Sequence, residues 1–325
     1  MTRMPGRSWR GMALGLVGGA TYGIAARLVF DEKTPAFFAP VFVAMSVAFL
    51  FLVPVALGVV TVYLAAPARG PWRWVVWVFL PWGTCLLCLA AAAALALEGA
   101  ICIAMAAPIF LAFSSVGGVA AGLLLREEAS APGSIVACVA LLPFVVAPLE
   151  HRLPSTTQTH VVETRTLIHA TPEAVWKNVV RVPAITPAEL PSSMFERIGI
   201  PRPLEATLDR DGVGALRTAR FEGDLTFEET VTDWEPDRTL AFSIAVDRAT
   251  LSPRLLDHHV AVGGEYFDVL TGRFVLEPAG DGQVLLRLVS VHRLSTRFNG
   301  YAALWTDRIM ADLQSRICAV ICTCP

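Results

Sequence analysis

The chain has 325 residues, of which 54% are hydrophobic and only 17% charged, too apolar a mixture for a wholly soluble protein of this length. Its formal net charge of -2 offers no basic stripe for a phosphate backbone, so no nucleic-acid partner is expected. Lys33 and Lys177 are the only lysines, and the arginine bias reads as that of a GC-rich bacterial genome.

Five apolar runs are long enough to span a bilayer as helices, at roughly 11–30, 36–66, 74–97, 100–124 and 133–149. The second reads as one tilted helix bent at Pro54. The third and fourth are separated by Glu98 and Gly99 alone, which predicts a tight hairpin with Glu98 at the membrane surface, needing no buried partner. In the first run Gly11, Gly15, Gly19 and Gly23 form a small-residue ridge that lets another helix approach, within the bundle or by self-association. Cys85 and Cys88 form a C-x-x-C without charged or histidine neighbours, so they read as small packing residues. Arg27 reads as snorkelling to the interface, and no intramembrane charge pair is expected.

Arg3, Arg7 and Arg10 precede the first span, Arg69 and Arg73 lie between the second and third, and Arg126 follows the fourth. Only Arg27, Lys33 and Arg152 lie near the membrane on the opposite side. This asymmetry places the N-terminus in the cytoplasm of a bacterial inner membrane, and five spans then put the C-terminal part outside. The expected organisation is a transmembrane domain over residues 1–150, a polar linker over 151–160 and a second domain over 161–325.

After the linker, "VVETRTLIHA" alternates as a strand. Thr171 and Pro172 then give an N-cap and first helical position, and Thr186, Pro187 and Glu189 a second helix start with a capping box. Strands are predicted near 214–222, 225–234, 239–246, 265–277 and 283–294. A long helix runs from Arg297 to about Cys322, with Phe298, Trp305, Ile309, Leu313, Ile317 and Val320 on its apolar stripe and Asp307, Asp312 and Arg316 off it. Cys318, Cys322 and Cys324 have poor disulfide spacing and read as free thiols.

The segments "IHATPEAVWKNV", "GVGALRTARFEG", "FEETVTDWEPDRTLAFSI", "YFDVLTGRFVLEP" and "STRFNGYAALWTDRIMADLQSRI" together resemble the START/Bet v 1-like (SRPBCC) superfamily, often labelled polyketide cyclase/dehydrase and lipid transport proteins. The resemblance covers roughly residues 160–322. It implies an α+β helix-grip fold, a curved antiparallel sheet around a long C-terminal helix, enclosing a mostly apolar cavity. Members bind lipids, sterols or aromatic compounds and some catalyse cyclisation or dehydration, so the resemblance does not fix function.

Alternation selects the side chains that face such a cavity. In "LTFEETV", Glu229 is the polar exception on the face of Leu225, Phe227 and Val231. In "VLLRLVSVHRL", Ser290 and His292 share a face with Val284, Leu286, Leu288 and Leu294. Phe242, Tyr266, Asp268 and Trp305 complete the candidate ligand-binding set, with Glu229 and His292 as its acid/base pair. Asp257, His258 and His259 read as a polar loop at the cavity mouth, with Gly263 and Gly264 as its turn. Adjacent histidines on extended backbone point apart, so they and His292 are not expected to share an ion. No metal, cofactor or catalytic nucleophile motif is read from the chain. A membrane-tethered binder of a hydrophobic, lipid-like molecule is favoured over a cyclase or dehydratase using the same cavity, or an interaction protein whose cavity is vestigial. Alkaline phosphatase fused after Leu153 is expected to be active; an inactive fusion there, with a bright cytoplasmic reporter, would mean an even number of spans.

Overall fold

The computed structural model describes residues 8–31, 41–65, 73–126, 132–186, 190, 192–246 and 261–323. Arg3, Arg7, Lys33, Arg69, Pro187, Glu189, Asp257, His258, His259 and Cys324, all singled out in the sequence, lie outside the described residues. The chain forms two compact units that divide between Ser155 and Thr156.

The first unit is helical: α1 (Ser8–Val29), a π-helical turn (Ala48–Leu52) running into α2 (Val53–Ala65), α3 (Arg73–Ala94), α4 (Ala100–Arg126) and α5 (Pro132–His151). Five helical segments among the described residues are long and apolar enough to cross a membrane. The second is shorter than expected, because residues 41–46 are turn and bend and the helix starts only near Val47. Pro54 has no N–H to give to the preceding turn, and there the helix is wound wide.

Small residues set the spacing of this unit. A Cβ at Gly15 would sit 2.5 Å from the Thr61 carbonyl oxygen and 2.9 Å from Ala65 Cβ, and one at Gly23 2.7 Å from Cys88 Sγ. The glycine ridge of α1 therefore faces α2 and α3 of the same chain. Gly117 on α4 likewise meets the Val55 carbonyl of α2, and Gly122 the indole of Trp77. Such close backbone approach multiplies the dispersion contacts between the helices.

Two polar features correct the sequence reading. Arg27 does not snorkel alone: its Nε lies 2.7 Å from Glu98 Oε1, and its Nη2 donates to the Leu97 carbonyl at 2.9 Å, tying the end of α1 to the turn between α3 and α4. Glu98 thus has a largely buried partner. Glu150 on α5, which the sequence reading passed over, accepts the Val47 and Ala48 amides at 2.7 and 2.9 Å and so caps the second helix.

The second unit runs β1 (Gln158–Ile168), α6 (Pro172–Val180), α7 (Met194–Arg197), β2 (Pro203–Leu208), β3 (Leu216–Phe221), β4 (Thr226–Glu235), β5 (Thr239–Val246), β6 (Phe267–Gly280), β7 (Gln283–Leu294) and α8 (Asn299–Thr323). β1 takes up residues 158–160 of the expected linker. The seven strands form one antiparallel sheet in the order β1-β7-β6-β5-β4-β3-β2, and α8 packs on β1 and β7. This is the helix-grip architecture. Irregularities after Val231 in β4 and Val269 in β6 add the local bend and twist that curl such a sheet.

Local chemistry explains the small helices. Thr171 accepts the Ala174 amide with Pro172 at the first helical position, and α6 buries Val175, Trp176, Val179 and Val180. The capping box that starts α7 is made by Ser193 and Glu196. β2 escaped the sequence reading because it is a six-residue edge strand opening on a proline.

Replacing Gly117 by Ala is expected to destabilise the first unit by about 1–3 kcal/mol, the usual cost of overpacking. Gly83→Ala, where the nearest atom is a flexible Leu16 methyl at 3.3 Å, should be close to neutral. Thermal unfolding of both variants in detergent compares them directly.

Candidate functional site

The concave face of the sheet is built by strict alternation. On β7, Val284, Leu286, Leu288, Ser290, His292 and Leu294 are buried, and each intervening residue is only partly so. On β4, Glu229 and Val231 are buried between exposed neighbours. At one end this face packs solid against α6 and α8, through Val175, Val179, Phe274, Leu276, Cys318 and Ile321. Burial pushes the Cys318 thiol up to about 11, which makes it a packing residue and a poor nucleophile.

Between β2–β7 and α8 the packing opens into a cavity of about 830 Å³, its open mouth included. Its wall is mostly apolar: Phe227, Phe242, Ile244 and Leu288 from the sheet, Met310, Leu313 and Ile317 from α8. Gly272 makes room for Phe242, since a Cβ there would lie 2.5 Å from the phenyl ring.

Two buried charges stand in this wall. Arg217 on β3 and Glu229 on β4 are directly opposed in register, with side chains 4% and 8% exposed, and the Arg217 Nη1 donates to Glu229 Oε2. Arg217 also donates through Nε to the Val180 carbonyl at 3.2 Å and through Nη2 to that of Val179 at 3.3 Å, and its guanidinium lies 5.5 Å from the Phe242 ring centre. The arginine thus satisfies the carbonyl end of α6 while it neutralises Glu229. Burial pushes the Glu229 carboxyl up from its ordinary value, and Arg217 pulls it back part of the way.

The cavity's other polar wall is Gln314. Its Nε2 donates to the Val162 carbonyl at 3.0 Å and to Ser290 Oγ at 2.9 Å, while its Oε1 accepts from Thr164 Oγ1 at 2.8 Å. These three bonds fasten the middle of α8 to β1 and β7, and they leave the amide fully engaged.

Of the residues expected at the cavity, Phe227, Glu229, Phe242 and Ser290 line it; Tyr266, Asp268, His292 and Trp305 do not. Asp268 pairs across from Arg293, and Val269 from His292, so Asp268 points to the convex face; Tyr266 precedes the strand. Trp305 is half-buried, because the inward line of α8 runs through Ala303, Met310, Gln314 and Cys318. The apolar stripe inferred from large side chains holds for Leu313, Ile317 and Val320, and for Phe298, which precedes α8 and packs against Leu294, Ala302 and Ala303. Glu229 and His292 form no acid/base pair: β5 and β6 lie between their strands, a separation of about 14 Å at the usual strand spacing.

His292 instead belongs to a second cluster. Its ring stacks on that of His160 at 5.4 Å, its Nε2 lies 3.1 Å from Thr306 Oγ1 and 3.4 Å from Asp307 Oδ1, and it has no solvent exposure. Burial lowers its pKa, opposed by the Asp307 charge. Arg217, Gln314, His160 and Asp307 were all missed in the sequence. Only Arg217 left a signal there, as a charge on the inward face of a strand.

No family model and no curated protein matches the chain. Among solved structures, norcoclaurine synthase from Thalictrum flavum, in complex with dopamine and hydroxybenzaldehyde, is similar at 12% identity, covering 51% of this chain and 85% of that one with a TM-score of 0.31. An uncharacterized protein from Rhizobium leguminosarum is similar at 10% identity, over 52% of this chain and 98% of the other, with a TM-score of 0.32. DynU16, from the dynemicin biosynthetic locus, shares 16% identity over 48% of this chain and 45% of its own, with a TM-score of 0.29. Likenesses this distant carry no functional argument.

Removing one member of the Arg217–Glu229 pair strands the other charge. Arg217→Met and Glu229→Leu are each expected to cost about 3–5 kcal/mol of unfolding free energy, and the double variant to recover most of it. Denaturant unfolding of the four proteins reads the coupling. Additive losses would show that the two charges do not depend on each other.

Proposed function

We propose that the second unit binds a hydrophobic, lipid-like small molecule and that the apolar helices of the first hold it at a membrane. The observation that carries this reading is an apolar cavity with one buried, neutralised Arg–Glu pair in its wall. An amphipathic molecule would place its apolar body against Phe227, Phe242, Leu288 and Leu313. Its hydroxyl, carbonyl or carboxylate would then meet Arg217 and Glu229, the charged side chains that burial keeps from water. A membrane tether suits such a ligand because it shortens the passage through water. In this reading the first unit lies in a bacterial inner membrane and the binding unit outside the cytoplasm.

A second reading rests on Glu229. Burial raises the pKa of this carboxyl against the pull of Arg217, and a buried carboxyl in a cavity wall is the group through which a cyclase or dehydratase would exchange a proton with its ligand.

Native mass spectrometry of the full chain, extracted in mild detergent, should find a discrete hydrophobic molecule, lost when Leu313→Trp fills the cavity. A chain that is empty under these conditions and takes up no fatty acid, sterol or isoprenoid probe would refute the binding reading. With the bound molecule identified, Glu229→Gln separates the two readings. A binding protein should lose about 0.5–3 kcal/mol of affinity. An enzyme should keep its affinity and lose about 100-fold or more in turnover.

A further inference from the structure

We propose that His160, His292 and Asp307 form a binding site for a divalent first-row transition-metal ion, Zn²⁺ by their donor set, with one coordination position left open. The site is distinct from the Arg217–Glu229 pair and does not rest on the cavity's ligand.

Sheet register creates it. His160 and His292 stand directly opposite each other on β1 and β7, both on the concave face, with their rings stacked and tilted by only 19°. The first turns of α8 then carry Asp307 over the two imidazoles. Its Oδ1 lies 3.4 Å from His292 Nε2 and 3.7 Å from His160 Nδ1, and the three candidate ligand atoms are all within 4.8 Å of one another. A tetrahedral ion with bonds of about 2.0–2.2 Å needs ligand atoms about 3.3–3.6 Å apart. Two of the three edges are already close to that. The third closes by rotation of His160, whose side chain keeps 25% exposure and room to turn.

The electrostatics ask for a cation. Asp307 Oδ1 is buried without a hydrogen-bond partner, and His292 Nε2 and His160 Nδ1, the nitrogens that face it, both offer lone pairs when each neutral ring carries its proton on the other nitrogen. An enclosed carboxylate oxygen without a donor is costly, and a metal ion among these three atoms removes that cost. A proton is the poorer answer at His292, which is wholly buried and packs on its other side against Phe267 at 5.6 Å. His292 Nδ1, also buried and unpartnered, is free to carry the ring proton while Nε2 takes the metal. The Thr306 hydroxyl, 3.1 Å from Nε2, occupies that nitrogen in the metal-free chain and must yield to the ion.

Donor chemistry narrows the ion. Two imidazoles and a carboxylate, without a thiolate, suit Zn²⁺, Co²⁺ or Fe²⁺ and not Cu⁺ or Ca²⁺. Asp307 keeps 46% side-chain exposure, so water has a route to the cluster and would supply the fourth ligand. Loaded, the site would bind α8 to the edge of the sheet at its N-terminal half, as Gln314 does at its middle.

The test uses the full chain in mild detergent, stripped with a chelator and titrated with Co²⁺. Visible d–d absorption of tetrahedral intensity should saturate at about one equivalent, without a sulfur charge-transfer band, and be abolished by Zn²⁺. Asp307→Asn and His160→Gln, both at partly exposed positions, should each lose the band while keeping the metal-free unfolding temperature of the parent. Zn²⁺ should raise that temperature in the parent and not in Asp307→Asn. A double His258→Ala, His259→Ala variant should bind as the parent does. The proposal is overturned by the absence of a saturable band, by a band that survives both Asp307→Asn and His160→Gln, or by one that disappears with His258 and His259.

Discussion

A single helix cannot cover a seven-stranded sheet, and the second unit is organised around that mismatch. At about 4.8 Å between strands the concave face is about 29 Å across, whereas a helix with its side chains spans about 10–12 Å. α8 takes β1 and β7, and α6 closes part of β6 and β2. What remains, between β3, β4, β5 and the flank of α8, has an inward apolar surface that no second helix among the described residues buries. The cavity is this uncovered remainder, shaped by Phe227, Phe242 and Leu313.

The polar residues of the unit fall where that geometry requires them. Gln314 is buried at the centre of α8 because three hydrogen bonds to β1 and β7 exhaust its amide, which also fixes the rotation of the helix. Arg217 and Glu229 stand on the uncovered side, where the Arg217 side chain donates to the Val179 and Val180 carbonyls at the end of α6. A guanidinium reaches those carbonyls, and its charge then calls for a carboxylate on the next strand. The same pair that completes the fold therefore gives the cavity its polar pole.

The first unit solves a different problem with the same chemistry. Its helices approach closely at Gly15, Gly23, Gly58 and Gly117, while the apolar Val17, Leu86, Leu141 and Val145 point outward and stay exposed. Charges are confined to helix ends, where Arg27 holds Glu98 and Glu150 caps the neighbouring helix. Polar groups there serve as fasteners for backbone that would otherwise lack partners.

The sequence by itself determined what depends on neighbours along the chain. Five apolar runs mark five helices, Thr171 and Pro172 start α6, and the period of two on β4 and β7 places Glu229, Ser290 and His292 on the buried face. It failed where a local pattern had two readings: Trp305 reads as an inward residue of α8 and Gln314 goes unnoticed, because size is a poor guide to helix phase when a polar group can be satisfied, and Asp268 reads as inward because strand phase near a bulge is not readable from alternation. Only the tertiary structure decided which strands lie side by side. Register between β3 and β4 makes Arg217 and Glu229 a pair, and register between β1 and β7, more than 120 residues apart, makes His160 and His292 another. Such pairings are set by the burial of whole sheet faces and by helix docking, collective quantities that no single stretch of sequence carries.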